Sequence, residues 1–394
     1  MTEESKAIRA SVGAGVSSTV AGAEPSSAAR LTTLSKHVTV LDPTRELPGD
    51  VQRFIANFAG DELCLNRDWF DLLIRCSPAA RQKPRLYVVR AEDEDGIDCL
   101  MFAMGNDDGL RPRKLSSLTN FYTMSYAPLI RRDLADRRSC LHALASFIVS
   151  EEPAWDLIEL HGLIEENQTT TELLRALRQA AMIVGTFAEF ENWFYPSEGI
   201  SAEQYFATRP PPVRAIARKM RQAQKKHALS FQLYSSTHDI ETGLADYERV
   251  YANSWKGQEA YPEFVPQLIR RFAAQGKLRL GILRLDDVPG AAQLWLITGR
   301  RATIYKVAYD EKFAPLSVGS LLSKFMFDYV LDRDKVAEID YGVGSERYKL
   351  DWMSECRHVI GIVCYNPRSS VGLAAAARHF SGRLWRRLLN KAEK

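Results

Sequence analysis

"ATIYKVAYDEKFAPLSVGSLLSKFMFDYVL" spans residues 302–331. Its first eight residues have the aromatic and β-branched character of a strand. From Gly319 onward apolar residues recur at helical spacing. Ala314-Pro315-Leu316 and then Ser317-Val318-Gly319-Ser320 join the two. A strand that enters a helix through such a turn has two readings. One is plain chain geometry, with Ser317 or Ser320 as the N-cap. The other is an anion site. Free N–H groups and the dipole at a helix start favour a phosphate, and small residues let it come close.

Outward from this turn, helix and strand signals alternate, which predicts an α/β fold with mixed sheets. In the first half, 37–41 reads as a strand, 63–76 as a helix, 85–93 and 96–107 as a hairpin, 134–151 as a helix, 155–163 as a strand and 170–182 as a helix. The second half repeats the order. It has a strand at 228–235, two helices, a hairpin around "DVPG", the strand and helix of the opening stretch, a strand "VAEIDYG", a short helix "SERYKLDWM" and a last strand "RHVIGIVCYN". Two echoes fit an internal duplication. "SYAPLI" (125–130) matches "KFAPLS" (312–317), and "IELHG" (158–162) matches "EIDYG" (338–342). After "APL" the first half continues "IRRD" and lacks the small residues. The expected layout is a leader over 1–36, domains at 37–197 and 198–367, and a basic amphipathic helix over 368–394.

Composition bounds the rest. The 394 residues fit two domains, and 46% hydrophobic with 26% charged residues is a globular balance. The leader is rich in Ser, Ala and Gly and lacks a signal-peptide pattern. Six cysteines are spaced singly with no CxxC, which argues against a zinc site or a disulfide framework and for reduced thiols in the cytoplasm. No HExxH, GxSxG or phosphate-binding GxxxxGK[ST] motif occurs, and no metal is implied.

The net charge of +3 is unevenly spread. Residues 209–226 hold seven Lys/Arg and no acid, and 367–394 hold seven against one Glu. No DNA-binding role follows for the bulk of the chain. The first run is either a solvated helix or a contact for an anionic acceptor or tRNA. The second, with Leu373, Ala377, Phe380, Leu384 and Leu388 on one stripe, is either an interfacial membrane helix or a helix docked on its own protein.

The stretch 291–353 contains Asp340, Tyr341, Gly342, Gly344, Tyr348, Lys349 and Trp352 in the register D-[FY]-G-x-G-x-x-x-Y-K-x-x-W, downstream of a Ser-x-Gly turn and a Leu-Leu helix. It resembles the acetyltransferase-like domain of the GNAT superfamily, and more narrowly the CelD-like (cellulose-biosynthesis-like) subgroup related to Fem-type peptidoglycan aminoacyltransferases. Val318 stands where that subgroup often has Pro. The resemblance implies two tandem GNAT-like domains, the first with a degenerate donor site. It also implies acyl-CoA as co-substrate and an amine acceptor on a small molecule, lipid or glycan. Aminoacyl-tRNA is the rival donor, disfavoured by the lack of a long heptad insertion. A non-catalytic binding subunit is the rival of another class.

In this reading Val307 and residues Leu316, Ser317, Val318, Gly319, Ser320 and Leu321 hold the donor. Asp340 is a general base or amine-orienting group, or else a cap or a salt bridge to Lys349. Tyr348 returns a proton to the thiolate, and Lys349 binds an anionic group; both also read as surface helix residues. Strand alternation puts Tyr305, Val307 and Tyr309 on one face, with Tyr305 turned to core or acceptor. Gln293 is an unusual polar residue in an apolar strand, fit to bond substrate or a neighbouring backbone group. Trp255 and Tyr341 join it on the substrate side.

Overall fold

The computed structural model describes residues 36–57, 62–77, 82–91, 96–106, 109, 112–344 and 346–392, with side chains of the last helix described to residue 381. The expected leader up to residue 35 lies outside them. The strands are β1 (Lys36–Leu41), β2 (Lys83–Ala91), β3 (Ile97–Gly105), β4 (Lys114–Ser117), β5 (Leu129–Ile130), β6 (Leu157–Ile164), β7 (Ile183–Pro196), β8 (Leu229–Tyr234), β9 (Leu278–Leu285), β10 (Val288–Thr298), β11 (Arg301–Tyr309), β12 (Glu338–Val343) and β13 (Glu355–Tyr365). The helices are α1 (Gly49–Ala56), α2 (Arg67–Cys76), α3 (Arg137–Ser150), α4 (Gln168–Gln179), α5 (Ala202–Thr208), α6 (Pro211–Arg214), α7 (Ile216–Gln224), α8 (Ile240–Ala252), α9 (Phe264–Ala274), α10 (Val318–Tyr329), α11 (Lys349–Trp352) and α12 (Ser370–Ala392).

One mixed sheet runs through both halves in the order β1-β2-β3-β4-β6-β13-β7-β12-β11-β10-β9-β8, with β5 on β3. The two parallel pairs among the described residues are β4·β6 and β11·β12, each three residue pairs long. These equivalent positions make the "IELHG" and "EIDYG" echo a structural one. The halves also exchange strands. β13, from the end of the chain, lies between β6 and β7, and β7 pairs with β12 on its other edge. The expected boundary at residue 197 falls just after β7.

Charges stitch this junction. Glu338 on β12 binds Arg357 of β13 and Arg301 of β11, the latter at 2.5 Å, and Arg301 reaches Glu62 at 2.9 Å. The Arg357 guanidinium lies 3.7 Å from the Phe194 ring centroid, so its planar cation is both paired and stacked.

α1, β4, β5 and α5 have no counterpart in the sequence reading, and three further differences have a local cause. β7 has no counterpart in that reading, because Glu189, Glu191 and Asn192 interrupt the apolar pattern. The hairpin after β9 turns at Asp286-Asp287, not around "DVPG". Both residues have positive φ, as a tight two-residue hairpin turn requires, which leaves Val288 and Pro289 in β10. The helix expected from residue 63 starts at Arg67, because Asn66 Oδ1 accepts the Trp69 N–H at 3.0 Å and caps it.

Two apolar cores cover the second-half sheet. One, on the side of α8 and α9, is continuous with the first-half core. The other lies under α5, α7 and α10. Phe327 of α10 is fully buried there between Tyr205, Trp295 and Trp352, at ring distances of 4.8, 5.2 and 4.8 Å. Burying one such ring contributes ~3 kcal/mol, enough to fix α10 against the sheet. The opening stretch is therefore held rigidly at both its strand and its helix. In α12, Gly372 and Ala376 face the protein, while Leu373 and Phe380 of the apolar stripe are exposed.

Candidate active site

β11 and β12 pair at Arg301↔Glu338, Ala302↔Ile339 and Thr303↔Asp340, then part. Beyond that point, the edge of β11 from Ile304 to Tyr309 that faced β12 has no sheet partner among the described residues. In the first half the equivalent gap is closed. The chain after β4 bends back, and the Tyr126 N–H donates to the Gly162 carbonyl at 2.6 Å.

A single 3-10 segment, Glu311–Leu316, joins the end of β11 to the start of α10. Ser317 takes a left-handed conformation (φ 57°) and occupies the N-cap position, but its side chain caps no N–H. Its Oγ accepts from Lys219 Nζ at 3.2 Å instead. The Ser320 and Leu321 N–H groups bond the Ser317 carbonyl. Among the described residues the N–H groups of Val318 and Gly319 have no such partner. The plain-cap reading of the turn is therefore not what the side chains do.

A cavity of about 360 Å³ opens at this turn, walled by Val307, Tyr309, Gly319, Ser320, Lys219 and Trp255. A second, of about 200 Å³, lies on the other side and includes Phe121, Tyr122, Tyr305, Lys256, Glu346 and Lys349. Val307, Tyr341 and Tyr348 belong to both walls. The two cavities therefore meet where β11 and β12 part.

The expected donor residues divide accordingly. Val307, Gly319 and Ser320 line the larger cavity. Val318 and Leu321 are buried in the core beneath the turn, and Leu316 packs against that core. Trp255 is half exposed at the rim, its ring 4.5 Å from Tyr309.

Tyr305 departs from strand alternation. Leu294 pairs with Lys306 and Trp295 with Ile304, so Tyr305 is the extra residue of a β-bulge. The bulge shifts the parity. Val307 and Tyr309 face the α10 core, while Tyr305 faces the other core, edge-on to Trp69 at 6.0 Å, with its hydroxyl 3.4 Å from the Tyr122 carbonyl.

Asp340 reaches neither cavity wall. Its Oδ1 accepts from Asn192 Nδ2 at 2.6 Å and from the Gly342 N–H at 2.7 Å, and Arg357 stands 3.7 Å from Oδ2. Burial still holds its pKa above the usual carboxylate value. These bonds fix Gly342, whose φ of 66° lets the chain bulge and turn Tyr341 toward the cavities. Asp340→Ala strands the Gly342 N–H and one N–H of the Asn192 amide, whose nitrogen still reaches the Gly342 carbonyl at 3.0 Å. We expect it to cost about 2–3 kcal/mol in denaturant unfolding, with Asp340→Asn losing less because it keeps one acceptor oxygen. Equal stability of Asp340→Ala and the parent chain would contradict this.

Lys349 is buried, not a surface residue. Its Nζ donates to the carbonyls of Val343 (2.5 Å) and Gly344 (3.2 Å) and pairs with Glu346 at 2.9 Å, clamping the glycine turn. Gln293 is also committed internally. Its Nε2 donates to Gly319 O (3.0 Å) and Ser323 Oγ (2.8 Å), and its Oε1 accepts from Trp295 (2.9 Å), so it pins the start of α10. Both amide hydrogens are used, which is why it frames the cavity and has no donor left for a substrate. Tyr348 is 44% exposed, 5.7 Å edge-on to Tyr341, and its pKa is pushed up to about 12 by burial. Its hydroxyl therefore stays protonated at neutral pH.

Sequence reasoning missed Lys219, Lys256, Glu346, Phe121 and Tyr122. Lys219 lay within the basic run, which Val213 and Ile216 anchor to the α10 core. Glu346 lay within the "GSERYK" segment. Phe121 and Tyr122 carried no signal, since they arrive from the first half.

Residues 213–350 match the family described as acetyltransferase (GNAT) domain. No curated protein matches the chain. Among solved structures, the crystal structure of FemX is 10% identical over 82% of this chain and 96% of its own, with a TM-score of 0.57. A conserved protein of unknown function from Bacteroides thetaiotaomicron VPI-5482 is 10% identical over 84% of this chain and 100% of its own, with a TM-score of 0.53. Both likenesses are of fold.

Proposed function

We propose that this chain is an N-acyltransferase that takes an acyl group from acyl-CoA, or another acyl thioester, and delivers it to an amine of a cell-envelope, polysaccharide or lipid precursor. The observation that carries the reading is the parting of β11 and β12 beside the start of α10, with one cavity on each side of the gap. The matched GNAT segment covers these elements. The Asp340–Trp352 motif supports a CelD-like member of that group.

The chemistry follows from position. The diphosphate of the donor sits on the Val318 and Gly319 N–H groups with Lys219 beside it. The amide-bearing arm of the donor adds to the open edge of β11, as an added strand would. Backbone N–H groups past the bulge stabilise the carbonyl oxygen as it becomes anionic. The neutral amine enters from the smaller cavity and attacks the carbonyl carbon; as the C–S bond breaks, the sulfur takes the Tyr348 hydroxyl proton, and the proton that the nitrogen loses returns to Tyr348, leaving an amide and a thiol. Tyr348 lies on both walls, where it can reach the departing sulfur. Asp340, Lys349 and Gln293 act as positioning residues.

The test is thermal unfolding with CoA. Saturating CoA should raise the midpoint by several degrees. One observation favours a second donor. Arg214, Arg218, Arg221, Lys225 and Lys226, on and beside the helix whose Lys219 reaches the turn, are exposed and make no ion pair among the described residues. A tRNA user would show salt-dependent tRNA binding and no response to CoA. Response to neither would favour the binding-subunit reading.

No helix among the described residues is long and apolar enough to cross a membrane. The exposed Leu373 and Phe380 of α12 support peripheral contact with an anionic bilayer. Deleting residues 370–394 should release the protein from anionic vesicles in a flotation assay, and unchanged flotation would overturn that contact.

A further inference from the structure

The smaller cavity is unbalanced in charge. Its wall carries the ammonium groups of Lys256, Lys306 and Lys349 against the single carboxylate of Glu346. Lys349 is paired with Glu346, and Lys306 is paired with Glu259 at 2.7 Å behind the wall. Glu259 is further occupied by the Tyr122 hydroxyl at 2.6 Å. Lys256 makes no ion pair among the described residues. Its ammonium lies over the rings of Trp255 and Tyr251, at 5.7 and 5.9 Å, and the carboxylates of Glu259 and Glu346, each already paired with another lysine, act on it only from a distance. Lys256 sits in the loop after α8, Lys306 on β11, and Glu346 and Lys349 on the turn before and the start of α11. Three elements thus bring cations to one small space with one carboxylate among them.

A partly buried cation beside other cations is costly, and burial followed by Lys306 lowers the Lys256 pKa to about 8. An anion in the cavity removes that cost.

We propose that Lys256 anchors an acidic group, a carboxylate or a phosphate, carried by the acceptor beside the amine that is acylated. The proposal rests on the acyltransferase reading for the word acceptor, but the anion site itself does not. It narrows the substrate class to amines that also bear an acid. A plain alkyl amine leaves Lys256 unanswered and binds more weakly.

The experiment is competitive lysine labelling of the full chain. Trace acetic anhydride is applied at slightly alkaline pH, and each lysine is read by peptide mass spectrometry. Three samples at equal ionic strength contain sodium chloride, sodium malonate or sodium phosphate. An anion at Lys256 raises its pKa and shields it, so labelling there should fall about fivefold. The exposed Lys83 and Lys335, outside the basic run, are internal references and should not change. Protection by malonate alone identifies a carboxylate, and by phosphate alone a phosphate. Equal Lys256 labelling in all three salts, or a parallel fall at every lysine, overturns the anion site. No donor or turnover is involved, so that failure leaves the acyltransferase reading standing. A missing CoA response with intact Lys256 protection would do the reverse.

Discussion

Gly319→Trp abolishes the thermal stabilisation by CoA and leaves a folded protein. Gly319 is a first-turn residue of α10 that lines the larger cavity, and a Cβ there would stand 3.2 Å from Tyr309 Cδ1. Tyr309 must yield a few tenths of an ångström even for alanine. An indole has no room except in the cavity itself, where the donor diphosphate would lie. The helix tolerates the change, since glycine is the poorer helix former by up to ~1 kcal/mol. The expected loss exceeds about 100-fold in CoA affinity, which erases about 2.7 kcal/mol of ligand stabilisation at a concentration that saturates the parent chain. Gly319→Ala should weaken CoA only severalfold. A Gly319→Trp protein that responds to CoA like the parent would place the donor elsewhere.

Tyr348→Phe should lower kcat about 100-fold, the usual size of a proton-transfer contribution, with the donor KM nearly unchanged. The ring remains to pack on Tyr341 at 5.7 Å, so the variant isolates the hydroxyl. Steady-state kinetics on any accepted amine gives the split between kcat and KM. Asp340→Asn offers a contrast. Its effect should come with lowered stability, because Asp340 holds Gly342 and Asn192 and does not touch either cavity. A near-parental kcat for Tyr348→Phe would remove Tyr348 from the chemistry without disturbing the fold.

Much of this was readable from residue order. The strand, turn and helix of 302–331 stand where the spacing puts them, and the two "G"-ended echoes mark equivalent parallel strand pairs. The rest depended on long-range facts. β7 is hidden because its polar residues serve the junction: Asn192 bonds Asp340 across 148 positions of sequence. The strand exchange of β13 leaves no local trace, since any strand edge accepts any other backbone. Tyr305 was placed on the wrong face because a one-residue bulge reverses alternation, and only the pairing register reveals it. Lys349 and Gln293 have the residue types of ligand-binding groups, yet their hydrogen bonds end on backbone and side chains nearby. Lys219 and Lys256 were ordinary lysines in sequence, and the fold alone sets one beside the helix start and the other in the smaller cavity.

In the proposed mechanism a thioester donor occupies the gap between β11 and β12, with its reacting end where the two cavities meet. A crystal structure of the chain with CoA tests it most directly. The diphosphate should lie against the Val318 and Gly319 N–H groups, the pantetheine arm along Ile304–Tyr309, and the sulfur beside Tyr348. CoA bound at another surface, with that gap empty, would contradict it.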